Sequence, residues 1–147
     1  MTHPDAPVAR PRLPDVALPP LAGGDPVPVR MRRTGTVLVL LDASPAPRDV
    51  AYVRALADAH DELAGWDGRA FAVVADGAAR LPELALPVLH DARGIVARAA
   101  GVTVPALVVA DQWGEIHAAH AVGADDAWLH PREVADWLRF ITIRCAG

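Results

Sequence analysis

The residues of this chain that can do covalent chemistry are few, and they stand apart. Cys145 is the only thiol in 147 residues, which excludes an intramolecular disulfide, a four-thiolate metal site and every dithiol mechanism within one chain. It can still act as a one-cysteine redox group or pair with a partner's thiol. The simpler reading is a small apolar residue finishing a helical stripe. Ser44 lies in the stretch Asp42-Ala43-Ser44-Pro45-Ala46-Pro47-Arg48. A serine nucleophile needs an adjacent base and a third group to orient it, and no Gly-x-Ser-x-Gly elbow frames this one. Ser44 therefore reads as a helix N-cap with Pro45 at the first helical position. A helix start with Arg48 beside it also suits a small anion or carboxylate.

Six histidines raise a metal reading, above all His117 and His120, with His90 and Asp91 as further donors. On a strand, a spacing of three sends those two rings to opposite faces, the wrong geometry for one shared ion, so no metal and no cofactor is expected. Trp113, in a turn, and Trp128, ahead of the last helix, read as an exposed patch for a partner. Trp66 and Trp137 read as packing residues.

The elements that must position these residues follow from periodicity. Thr36 to Leu41 is a continuous β-branched and Leu run, the pattern of a central strand buried on both faces. A helical stretch follows it and ends before Gly65. Arg69 to Ala75 is a second buried strand, and Asp76-Gly77 leads to a short Ala-rich helical piece. Leu86 to Asp91 reads as a short strand, and Arg93 to Ala100 as a short helix closed by Gly101. Pro105 to Ala110 and Glu115 to Ala119 flank the turn Asp111-Gln112-Trp113-Gly114, a β-hairpin. Val134, Trp137, Leu138 and Ile141 mark the last helix, and Cys145 extends its stripe. Ahead of the central strand, Pro14 to Leu18 and Pro26 to Arg30 read as a small edge hairpin. The order predicts an α/β fold: a central, mostly parallel sheet with an antiparallel C-terminal hairpin, flanked by helices.

Composition bounds the function. With 52% hydrophobic and 22% charged residues the chain has material for one packed domain. Its formal charge of -4 gives no pull toward nucleic acid. No window reaches the roughly 18 apolar residues of a membrane span. Residues 1–12, broken by Pro4, Pro7 and Pro11, read as a flexible arm without a signal-peptide core, ahead of a domain over 13–147. The expectation is a cytoplasmic protein.

Several local sequences resemble the redoxin family of the thioredoxin-like fold: peroxiredoxins, including alkyl hydroperoxide reductase and thiol-specific antioxidant proteins, and their disulfide-reductase relatives. Pro14 to Leu18 with Leu21 to Gly24 resembles the family's N-terminal hairpin. Leu86 to Gly94 continuing to Val102, and Val104 to Asp111 with Gly114 to Ile116, are similar to its later strand–helix and hairpin segments. The resemblance runs from about Leu13 to Phe140. It implies that Val104-Pro105 is a cis-proline site facing the active-site loop. It also implies two cysteines followed by a basic residue at the start of the first long helix, where this chain has Ser44, Pro47 and Arg48. A serine hydroxyl cannot replace a thiolate in disulfide exchange or peroxide reduction. The resemblance thus implies a degenerate site, and the expected function is an interaction or small-ligand module using Ser44, Arg48 and Pro105. The alternative is an antioxidant thiol oxidoreductase that works through Cys145 with a partner thiol. Redoxins often dimerise, so a homodimer or a protein partner is expected.

Overall fold

The computed structural model describes residues 10–75 and 81–145. The arm up to residue 9 and the Ala-rich piece expected after Asp76-Gly77 fall outside that range, as does the side chain of Cys145. Among the described residues, seven strands and four helices run in the order β1 (Ala17–Leu18), β2 (Val27–Pro28), β3 (Gly35–Leu41), α1 (Pro47–Asp58), α2 (His60–Gly65), β4 (Gly68–Val74), β5 (Val88–His90), α3 (Ile95–Ala100), β6 (Ala106–Ala110), β7 (Ile116–Ala121) and α4 (Pro131–Cys145).

β3 is buried along its whole length, as its unbroken apolar run predicts for a strand covered on both faces. It pairs parallel to β4 and antiparallel to β6, giving the sheet order β5-β4-β3-β6-β7. Burial therefore splits into two cores. On one face Val37, Val39 and Leu41 meet Val53 and Leu56 of α1, Leu63 of α2 and Val134, Leu138 and Ile141 of α4. On the other, Leu38 and Leu40 meet Val96 of α3 together with Leu13, Leu18 and Val29. The expected N-terminal hairpin exists as the antiparallel pair β1–β2, a separate two-stranded sheet. Residues 10–12, grouped with the flexible arm by composition, are instead pinned. The Ile116 N–H donates to Pro11 O and the Leu13 N–H to Gly114 O.

Helix α1 starts later than its Ser-Pro pair suggests. Its N-cap is Ala46, in extended conformation and without a side-chain cap, and Pro47 opens the helix. The physical reason is the second proline: a residue before proline is pushed out of the helical region, so Ala46 cannot continue a helix begun at Pro45. Ser44 is not the N-cap. The same stretch is also two helices, α1 and α2, which meet at Ala59.

Candidate functional site

Register brings the site together. Leu40 lies opposite Ala106, so the loop after β3 and the loop before β6 emerge side by side. The Val104-Pro105 peptide is cis. Asp42, Ala46, Arg48 and Asp49 face Thr103 to Pro105 and Val122 to Ala124 across an open cleft of about 400 Å³. Val104 is 40% exposed, and its backbone N–H and C=O have no hydrogen-bond partner among the described residues.

The cleft holds no nucleophile fit for redox work. Ser44 is exposed, two residues ahead of the N-cap, and its hydroxyl has no hydrogen-bond partner among the described residues. The helix start that would acidify a thiol is occupied by Ala46 and Pro47.

Arg48, the cation expected beside an anion, is committed elsewhere. Its guanidinium donates to the carbonyls of Gly123 (2.6 Å), Asp126 (2.7 Å) and Ala124 (3.3 Å). It also stands 3.6 Å from the carboxylate of Asp49. Asp49 sits buried in the first turn of α1, where a carboxylate already compensates the helix dipole. Charge at this helix start is thus balanced internally.

Sequence reasoning missed Asp49 and Tyr52, which with Trp128 form a lock beneath the cleft. Trp128 Nε1 donates to Asp49 Oδ1 (2.9 Å), and the Trp128 ring stacks on Tyr52 at 4.4 Å. The Tyr52 hydroxyl donates to Leu129 O (2.6 Å). Burial first, and the charge of Glu133 second, push the Tyr52 phenol above its ordinary range. Trp128 is therefore a half-buried packing residue and not part of an exposed patch. Trp113 is 53% exposed, while Trp66 and Trp137 pack against the core. The only sequence signal for the lock was an acidic residue in the first turn of a helix.

The histidines separate as well. His90 Nε2 bonds Ala75 O, and Asp91 caps α3 through the N–H groups of Ile95 and Val96. His120 Nε2 bonds Ala127 O. A bulge at Val109/Ala110 takes His117 out of strict alternation, and its ring edges onto Phe140 of α4. Its Nε2 meets Asp111 Oδ2 at 2.9 Å while Arg10 donates to its Nδ1 at 2.8 Å. Asp111, Glu115 and His117 offer three donor atoms within 4.8 Å of one another. The bond from Arg10 requires a lone pair at Nδ1, so the proton is on Nε2 and points at Asp111. That is the arrangement of a hairpin clamp.

Cys145 is the last residue of α4. Ile141 and Thr142 of that helix line a cleft with Gly35, the first residue of β3, whereas the Ser44 loop follows its last. A strand of this length spans about 20 Å, so the backbone of Cys145 lies at the opposite end of the sheet from the cis-proline cleft.

No family model and no curated protein matches the chain. Solved structures do. A surface-exposed lipoprotein thioredoxin of Streptococcus pneumoniae superposes with a TM-score of 0.69 at 19% identity, over 86% of this chain and 99% of that one. AhpC of Enterococcus faecalis gives 0.74 at 14% identity, over 95% of each. A thioredoxin-like protein of Porphyromonas gingivalis gives 0.61 at 21% identity, over 93% and 95%. The fold is thioredoxin-like. No helix among the described residues is long and apolar enough to cross a membrane.

Proposed function

We propose that this thioredoxin-like chain is an interaction module without thiol chemistry, which holds an extended polypeptide segment or a small neutral ligand at the cis-proline cleft. The observation that carries the reading is an open cleft of about 400 Å³ with no thiol in it. The backbone of Val104, without a hydrogen-bond partner among the described residues, and its exposed side chain form one lip. An extended segment laid there can pair with these backbone groups, as strand addition does elsewhere. Pro105 contributes surface, Ser44 stands in the loop leading to α1 and outside the cleft lining, and Arg48 acts as a positioning residue that fixes the wall from Gly123 to Asp126. Asp42 and Asp49 line the same space, which favours a neutral occupant over an anion.

The test is backbone-amide NMR on the intact chain, titrated with a capped, neutral, Val- and Ala-rich peptide and separately with inorganic phosphate. Peptide-induced shifts confined to residues 42–49, 103–105 and 122–124, weakened at least tenfold by Arg48→Ala, are the expected result. Shifts with phosphate alone would favour the anion reading, and no localised shift with either would overturn the module reading at this cleft. Thiol chemistry through Cys145 would have to occur at the other end of the sheet, without this helix start to activate it.

A further inference from the structure

The end of the molecule opposite the cis-proline cleft carries a second concavity, of about 210 Å³, where the turn before β3, the turn before β4 and the β6–β7 turn meet the last turns of α4. Two of the residues lining it, Arg33 and Asp67, are non-glycine residues at positive φ, +61° and +56°. Asp tolerates that region; a bulky Arg there is uncommon, and glycine would fill the same turn without cost. The Arg33 backbone is held in place by its N–H bond to Gln112 Oε1 (2.8 Å). Its guanidinium has no carboxylate or carbonyl partner among the described residues. The turn thus keeps an unfavourable backbone and presents, at the mouth of the cleft, a cation without an acidic partner among the described residues.

The surroundings share a chemistry. Of five large hydrophobic side chains exposed among the described residues, four belong to elements that line this cleft: Met31 (41%), Trp113 (53%), Phe140 (46%) and Ile143 (60%). Arg139 and Arg144 lie over the rings of Trp66 and Phe140 and have no carboxylate partner among the described residues. Arginine beside exposed Trp, Phe and Met is the composition of interface centres. Asp67 is the one acidic residue in the cleft lining, against Arg33 in that lining and Arg139 and Arg144 on α4, in a chain whose formal charge is -4.

We propose that this end docks an acidic peptide segment of a partner protein, with one apolar side chain of that segment seated over Ile141 and its carboxylates against Arg33 and Arg144. Charge complementarity selects the occupant. A short acidic segment senses the arginines within a Debye length of about 8–10 Å, whereas a long polyanion such as RNA also meets the net negative field of the whole chain. A concavity of about 210 Å³ is smaller than the usual 300–1,000 Å³ of small-molecule sites. It matches one inserted side chain, and a flat lipid surface would leave it unfilled.

The experiment is fluorescence anisotropy with a labelled short peptide in which Asp and Glu flank a Leu-Phe pair, beside a copy with Lys in place of the acids. Saturable binding of the acidic peptide is expected, weakening with added salt and at least tenfold weaker for the Lys copy. Arg33→Gly is the decisive variant. It relieves the positive-φ strain, so its melting temperature should rise while binding falls at least tenfold, which separates lost recognition from lost folding. Val104→Asp, at the other cleft, should leave binding unchanged. Equal binding of both peptides, or undiminished binding by Arg33→Gly, would overturn the proposal. So would association of the chain with itself or with anionic phosphatidylserine vesicles in place of the peptide.

Discussion

Residue by residue, the site differs from its sequence reading where long-range partners decide. Arg48 looked like a free cation because its neighbours in the chain are Pro and Asp. Its carbonyl partners lie 75 to 78 residues away, beyond any local pattern. The Asp49–Trp128 bond spans 79 residues and was hidden for the same reason. Tyr52 permits a clean test of this buried lock. It is the only tyrosine in the chain, and all fourteen basic residues are Arg, so no lysine titrates beside it. Burial, then Glu133, raises its pKa in the folded state. The neutral phenol therefore stabilises the fold fully below the unfolded value of about 10. That contribution is lost as pH rises above 10, because only the unfolded chain then releases the proton. Urea melts should show stability falling from about pH 10 upward, with tyrosinate absorbance appearing only as the chain unfolds. In Tyr52→Phe the alkaline slope should flatten; an unchanged slope would remove Tyr52 as its cause.

Elements were more legible than their ends. β3, the β6–β7 hairpin and the stripe of α4 declare themselves because burial on two faces, turn chemistry and 3.6-residue spacing all act locally. The start of α1 was misread because two prolines competed, and the one nearer the helix won by restricting Ala46. The bulge that redirects His117 leaves no periodic mark. The uncapped start of α1 makes its own prediction. In Ala46→Ser the new hydroxyl can accept the unpaired N–H of the first turn, a cap worth about 0.5–1 kcal/mol over alanine. Thermal melts should rise by about 2–4 °C. A loss of stability would mean that the Ala46 side chain is packed more tightly than its exposure indicates.

At the scale of the whole molecule, the sheet separates two ends with different chemistry. At the C-terminal end of β3 lies the cis-proline cleft, with two aspartates and a committed arginine; at the N-terminal end lies the arginine and aromatic surface near the end of α4, where Cys145 ends the helix. Thioredoxin-type chemistry needs a thiolate at a helix N-terminus beside a substrate cleft. The one cysteine here is the last residue of a helix and does not stand at the start of one. Peroxide consumption and insulin-disulfide reduction should therefore stay at background, with or without an added thioredoxin system, and Cys145→Ala should match the parent chain. Turnover lost with Cys145→Ala would show that the C-terminal end is a redox site in its own right. The absence of thiols from the cis-proline cleft would then mark a relocated activity, and the module reading of that cleft would rest on its binding data alone.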